Sequence, residues 1–420
     1  MIIDNNLPVT KKVCRLCCSK GLHLIIDGGK QAFSNRFLVS EIEKEDHHLM
    51  AFGLCMNCGL VQLIEPAPAH EIRPRFDWIT YNEPEEHLDA LTDTLLSVAD
   101  IRNSTIVGAI SYKDTSLLER LQKKGVKKSW AILPEQHLGV KGKNIGVETI
   151  QERLSAEGTI SVLENLAKAD VLLVRHILEH SHDLASFFSV LKKLTKPDGY
   201  MVLEVPCCDN QMEDYDYTML WEEHVSYFTP ATFKKCMEEM GFSLIHYERV
   251  QYPLEDVLIG IVKISFDKSD EKTKSDYDPD IEIRRAKNYG VKFPEFGITI
   301  NNYLSEFGRK EGNIAILGAG HMACSYLNLL GITRHIDCLL DDNPNKTGLF
   351  MPGSKLPIYS PDFLMQNNIK MCLLAVNPVL DEKIIRKFKM FSENNGVFYS
   401  VFPGSEYALN NLKPIKNTIE

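Results

Sequence analysis

The sequence lacks any apolar run long enough to cross a membrane as a helix. Its longest are strand-sized, well short of the roughly 20 residues a bilayer needs. A charged-then-apolar leader is missing too, since MIIDNNLPVTKKV carries no signal-peptide pattern. Nor is there an excess of basic residues: 47 Lys and Arg stand against 57 Asp and Glu, a formal charge of −10. That balance argues against a nucleic-acid partner, which wants a concentrated basic face, but leaves room for a small anionic ligand. The cysteines, eleven in 420 residues, do not form an even set of the kind a small secreted scaffold uses. Without a secretion signal they point to a reducing, cytoplasmic setting, with thiols buried or bound to metal. A chain of this length is also too long for one core, so two or three domains are expected.

Four of those cysteines fall into a pattern. Cys14 and Cys17 form one Cys-x-x-Cys knuckle, and Cys55 and Cys58, followed by Gly59, form a second. Two residues between thiolates let each loop turn and present both sulfurs to one tetrahedral ion, with backbone amides donating to them. Four thiolates leave no open coordination position, so the expected role of a Zn2+ ion here is structural. Cys18 adjoins the first knuckle as an alternative ligand, although the spacing favours Cys17.

Beyond the knuckles the chain alternates. Residues 1–75 are irregular and cysteine-bearing, and Pro66 and Pro68 break the pattern at their edge. Residues 76–266 read as strands at 105–110, 129–133, 171–174, 201–205 and 258–264, with helical periodicity over 116–124, 184–194 and 230–240. The polar stretch 265–280 reads as a linker. Residues 281–420 open with a helical segment to about residue 307. The strand 314–317, the turn Gly318-Ala319-Gly320 and a strand at 337–340 follow. The expected fold class is therefore α/β: a small zinc-binding N-terminal domain followed by two Rossmann-like three-layer domains, with ligands at the carboxyl ends of the strands. Gly318-x-Gly320-x-x-Ala323, with Asp341 some twenty residues on, has the form of a dinucleotide turn but is read as a packing turn.

Particular phrases go further. The chain contains Cys55-Met56-Asn57-Cys58-Gly59-Leu60-Val61-Gln62-Leu63, then Arg175-His176-Ile177-Leu178-Glu179-His180, then Lys196-Pro197-Asp198-Gly199 leading to Glu204-Val205-Pro206. Trp221-Glu222-Glu223-His224-Val225-Ser226-Tyr227-Phe228 and Leu339-Leu340-Asp341-Asp342-Asn343-Pro344 follow. In this order, over nearly the whole chain, they resemble the bacterial sugar C-methyltransferase family. That family has an N-terminal zinc domain, a central class I methyltransferase domain and a C-terminal Rossmann-like domain. The resemblance implies S-adenosylmethionine as cofactor and a small-molecule acceptor, a nucleotide-linked keto sugar, methylated on the carbon beside the ketone.

The resemblance also assigns residues. Methylation at such a carbon needs a base for the α-proton and donors for the enolate oxygen. His224 matches the base, Glu223 stands where it could orient it, and Tyr81 is the best match to an active-site tyrosine. The stretch around Asn82 reads equally well as a helix cap. Trp221 replaces the family's tyrosine and Glu222 its histidine, and Leu254-Glu255-Asp256-Val257 stands near the place of its histidine-glycine-glycine-serine strand. The cofactor pocket is expected around Ser111, Asp114, Leu133 and His176, but its motif is degenerate. Of the family's glycine-rich first loop only Asp114 survives among residues 109–115, and Leu133 stands where an acid should take both ribose hydroxyls. His176 and His180 sit four apart without an evident third metal ligand, so a loop facing the cofactor is expected there. The alternative is a non-methylating relative, a pseudoenzyme or nucleotide-sugar-binding module that keeps the cleft and has lost the cofactor.

Overall fold

The computed structural model describes residues 7–79, 83–101, 104–141, 145–264 and 277–409. Most of the expected linker, and Thr80 to Asn82, lie outside the described residues. Contacts divide the chain into two units. One comprises Met1–Ile25, Phe52–Asp209 and Glu223–Lys287; the other comprises Ile26–Ala51, Asn210–Glu222 and Asn288–Glu420.

The first unit is built on a six-stranded sheet. Its parallel strands are β4 (Ile106–Ala109), β5 (Lys128–Ala131), β6 (Ala169–Arg175) and β7 (Thr195–Pro206). The antiparallel pair β9 (Ser243–Val250) and β10 (Val257–Lys263) completes it, in the order β5-β4-β6-β7-β10-β9. Strand β6, sequence ADVLLVR, is apolar on both faces because both are covered. Val171 and Leu173 pack with Leu91 and Leu95 of the helix Leu88–Val98 and Leu117 and Leu121 of the helix Thr115–Lys123. Leu172 and Val174 pack on the other side with Phe187, Phe188 and Leu191 of the helix Leu184–Leu194. Asp183 caps that helix by accepting from the Ser186 amide at 3.0 Å. The sheet is thus the middle of three layers, an α/β fold of the Rossmann type. Its strand order reverses between β4 and β6, and the crevice at that switch point, beyond the carboxyl ends, is where such sheets take ligands.

A smaller sheet runs in the order β1 (His23–Ala32), β2 (His47–Leu54), β3 (Val61–Leu63) and β8 (Ser226–Tyr227). The pairing of β3 with β8, Val61 opposite Tyr227 and Gln62 opposite Ser226, ties the strand just after the second knuckle to the strand just after His224.

The second unit carries an all-parallel sheet of β11 (Asn313–Leu317), β12 (Cys338–Leu340), β13 (Ile358–Tyr359), β14 (Ile369–Leu374) and β15 (Val397–Ser400). Their order is β13-β12-β11-β14-β15, half of a doubly wound fold. Asp341, at the end of β12, accepts from the Ala319 amide at 2.8 Å, the Asn343 amide at 2.9 Å and Lys346 Nζ at 2.7 Å. A carboxylate spent on its own turn is not offered to a dinucleotide ribose. Among the described residues no helix is long and apolar enough to cross a membrane.

Candidate functional site

The two knuckles bring their sulfurs together. Cys14 Sγ lies 3.6 Å from Cys58 Sγ and Cys17 Sγ 3.5 Å from Cys55 Sγ, all four fall within 4.8 Å of one another, and no cysteine is bridged. A tetrahedral ion with zinc–sulfur bonds of about 2.3 Å holds its sulfurs about 3.8 Å apart, so the spacing fits. Gln62 Nε2 donates to Cys14 Sγ at 3.3 Å, an outer-shell bond of the kind metal thiolates attract. Four thiols this close cannot all ionise unaided: the hydrogen bond between Cys14 and Cys17 pushes the first up and pulls the second down. A dication removes that conflict. Cys18 is outside the cluster; it is exposed and takes the left-handed turn position after its knuckle, φ 58°, as Gly59 does after the other at φ 63°.

A second cluster forms where β6 ends. His176 leaves the strand in the left-handed region, φ 47°, which turns the segment Arg175–His180 under the crevice. Its Nε2 lies 2.8 Å from Glu204 Oε1 at the end of β7, and its Nδ1 3.6 Å from Glu179 and 3.8 Å from Glu83. Burial alone would suppress the imidazolium, but Glu83 and Glu204 outweigh it and raise His176 to about 10. Glu204 is also clasped by Arg175, with Nε at 2.6 Å and Nη2 at 3.1 Å, and meets His87 Nε2 at 3.2 Å. Four residues further on, His180 Nδ1 lies 2.6 Å from Glu148 Oε1 and its Nε2 3.7 Å from Glu179 Oε1. Burial is again outweighed, and Glu148 holds His180 above the ordinary imidazole value.

His224 faces this cluster. Its ring stands nearly perpendicular to that of His180, at 89° and 5.1 Å between centroids, and lies 6.3 Å from Tyr227. The carbonyl of Glu179 accepts from the Val225 amide at 2.8 Å and the Ser226 amide at 3.0 Å, so the backbone after His224 is pinned to the loop that carries His180. His224 is half-buried, whereas Glu223 is buried beside Glu148 and His180. The arrangement is a half-buried imidazole backed by a second imidazole, itself held by carboxylates. Such a set can take, hold and return a proton.

The positions expected to hold the cofactor are placed differently. Asp114 is fully buried and takes three main-chain donors: the Arg175 amide at 2.8 Å on one oxygen, and the Ile110 and Ser111 amides, each at 2.9 Å, on the other. Burial raises its carboxyl to about 6 against the pull of those donors. Ser111 caps the turn by accepting from the Lys113 amide at 3.2 Å. Leu133 is 48% exposed at the end of β5 and has no polar side-chain atom. None of the four, with His176 tied to Glu204, offers the acceptor pair that ribose hydroxyls call for, and no glycine lies among residues 109–115 to let the backbone approach a ligand.

A family model described as a methyltransferase domain matches residues 30–247, more than half of the chain. The chain belongs to the methyltransferase-domain family. A second model, a C-methyltransferase C-terminal domain, matches residues 282–403. C-methyltransferase NovU of Streptomyces niveus is 20% identical over 406 residues, 93% of this chain and 95% of that protein. Among solved structures, an O-methyltransferase family protein from Burkholderia thailandensis is 13% identical, over 43% of this chain and 60% of that one, with a TM-score of 0.28. A SAM dependent methyltransferase from Archaeoglobus fulgidus is 17% identical, over 42% of this chain and 94% of that one, with a TM-score of 0.29.

In this methyltransferase-family chain, Trp221 and Glu222 serve packing. The indole N–H of Trp221 donates to Ser34 Oγ at 3.0 Å and its ring stacks on His321 at 4.2 Å, while Glu222 accepts from the amide and hydroxyl of Ser34 at 2.6 and 2.8 Å. Tyr81 lies outside the described residues. Sequence reasoning missed Glu148, Glu83 and Lys113. The ammonium of Lys113, on the first loop, pairs with Glu83. An acidic first turn on an otherwise ordinary helix was the only local sign of Glu148.

Proposed function

We propose that this chain is an S-adenosylmethionine-dependent C-methyltransferase acting beside the ketone of a nucleotide-linked keto sugar or a related small molecule, with His224 as general base and one structural zinc ion on Cys14, Cys17, Cys55 and Cys58. The observation that carries the reading is the half-buried His224 ring set against the buried His180 at the carboxyl end of β6. Carbon methylation at such a position begins with loss of an α-proton, and of the three imidazoles here His224 is the one that is only half-buried. The cofactor supplies the methyl group as an electrophile. His180 and its carboxylates hold the base, and the pairing of β3 with β8 seats it.

Leu133 and the glycine-free loop favour a second reading, a relative that keeps proton transfer or sugar binding without methylating. Deuterium uptake at the α-carbon of a nucleotide-linked keto sugar in D2O, followed by NMR, tests the base without the donor. Calorimetric titration with S-adenosylhomocysteine tests the donor site. Exchange abolished in His224→Gln, together with micromolar binding, fits the first reading. Exchange without binding fits the second. No exchange with any keto sugar refutes His224 as base.

A further inference from the structure

We propose that Glu148 is a positioning residue of the acid–base centre, fixing the imidazole of His180 against His224. The proposal rests on the reading of His224 as base. Glu148 is the second residue of the helix Val147–Arg153 and is 7% exposed. A carboxylate suits the first turn of a helix, and the Glu148 amide donates to its own side chain, but a carboxylate this buried is costly unless it is paired further. The pairing is with His180 Nδ1, at 2.6 Å.

Two further features show that this contact is built in. The other carboxylate oxygen folds back over Gly146, the N-cap of the same helix, where a Cβ would lie 2.4 Å from Oε2. Any side chain at residue 146 therefore displaces the carboxylate or is displaced by it. The helix is also tied to the loop it serves, because Gln151 Nε2 donates to the Ile177 carbonyl at 2.9 Å. A second bond thus joins the helix to the loop, so the geometry of the Glu148–His180 contact does not depend on the contact alone.

The effect on His224 follows from charge. The groups around His180 are Glu148, Glu179 and Glu223, with Lys113, His182 and His224 as the neighbouring bases. His176, across Glu179, has its own partner in Glu204. Glu148 holds His180 above the ordinary imidazole value, so an imidazolium at His180 opposes a second one on His224 five ångströms away, against the pull of Glu179 and Glu83, the carboxylates that face His224. Without the Glu148 charge, His180 sheds its proton sooner, and its opposition to a charge on His224 weakens.

The test uses the full-length, zinc-loaded protein with histidine-selective 15N labelling, comparing wild type with Glu148→Gln, Glu148→Asp and Gly146→Ala; ring signals are assigned with His180→Gln and His224→Gln. In Glu148→Gln the His180 midpoint is expected to fall by at least one pH unit and that of His224 to rise. Gly146→Ala is expected to move both in the same directions by less, and Glu148→Asp to restore part of the shift. With a nucleotide-linked keto sugar, α-proton exchange in Glu148→Gln is expected to lose about tenfold in kcat at pH 7 with KM unchanged, and its acid limb to move to higher pH. An unchanged His180 midpoint in folded Glu148→Gln, or in Gly146→Ala should the first variant not fold, overturns the proposal. So does a loss confined to KM. A wild-type protein that exchanges no α-proton refutes the base assignment of His224, and the ring titrations then decide the Glu148 contact separately.

Discussion

Replacing Cys17 by serine should strip the protein of its metal, whereas replacing Cys18, one residue along, should leave it. The contrast comes from geometry. Cys17 Sγ is 3.5 Å from Cys55 Sγ inside the four-sulfur cluster, while Cys18 is exposed in the left-handed turn position and reaches none of the sulfurs. Structural zinc in small isolated fingers contributes about 10–16 kcal/mol to folding. Less of that is at stake here, because Cys14, Leu16, Leu22, Cys55, Cys58 and Leu60 pack in one core with Leu172 of the main sheet and Phe187 of the helix Leu184–Leu194. The surrounding core should therefore stay folded when the ion is lost. Removing one member of a buried charged set typically costs about 3–5 kcal/mol. At about 2–4 °C per kcal/mol for a unit of this size, the melting temperature of Cys17→Ser should fall by about 6–20 °C. Function should fall with it, since β3 leaves the second knuckle and pairs with β8 beside His224. Atomic emission spectrometry counts the zinc and a thermal scan reads the loss. One ion per chain retained by Cys17→Ser, or lost by Cys18→Ser, would refute the ligand set.

The same turn predicts that Gly59→Ala is damaging. At φ 63° an alanine pays about 1–2 kcal/mol in backbone strain, and its Cβ would lie 2.4 Å from that of Glu282, so urea unfolding should show at least ~2 kcal/mol lost. Asp114 should give the wild type an inverted acid response. Its folded pKa, about 6, lies above the unfolded value near 3.9, so its contribution is fully present below pH ~4 and is lost as pH rises through 6, by ~3 kcal/mol at most. Urea midpoints measured from pH 4 to 7 should fall in the wild type and fall less in Asp114→Asn, where Asp216, raised to about 6 by burial as well, still contributes; a wild type that gains stability there would contradict the assignment.

The parts of the fold that announced themselves did so through local pattern. Knuckle spacing placed four sulfurs, and unbroken apolar runs placed β6 and β10, because a strand covered on both faces must be apolar throughout. Strand β9 escaped notice for the converse reason: lying at the sheet edge, Ser243–Val250 is half-buried almost throughout and has no alternation to read. Two helices were also missed: Val147–Arg153, too brief for periodicity to stand out, and Ala156–Asn165, whose Gly158, Thr159, Ile160 and Val162 are weak helix formers. In the acid–base cluster, His176, His180 and His224 could be singled out by the phrases they sit in. Glu148 could not, since it meets His180 only through the packing of its helix on the loop after β6. The role of Asp114 was hidden in the same way: the letter survives in the motif, but only the fold reveals that main-chain amides take up its oxygens.

Leu133 offers the sharpest test of whether the donor site is intact. It occupies the N-cap of the helix Pro134–Leu138 in an extended conformation, φ −99° and ψ 109°, with no side-chain cap bond. Aspartate at that position should accept from a first-turn amide, and because the leucine is 48% exposed, little packing is lost in the exchange. Leu133→Asp should therefore be neutral or stabilising by up to about 1 kcal/mol. It also returns a carboxylate to the end of β5, next to the switch-point crevice, where a nucleoside ribose would meet it. Two hydrogen bonds to a charged acceptor are each worth about 1.5–3 kcal/mol, less when the carboxylate is shared with a cap. A tenfold or greater gain in S-adenosylhomocysteine affinity by calorimetry is expected. A variant as stable as the wild type with no gain would mean that the end of β5 no longer faces a nucleoside. The methyl-transfer half of the reaction would then be lost, and proton transfer at His224 would be what the scaffold retains.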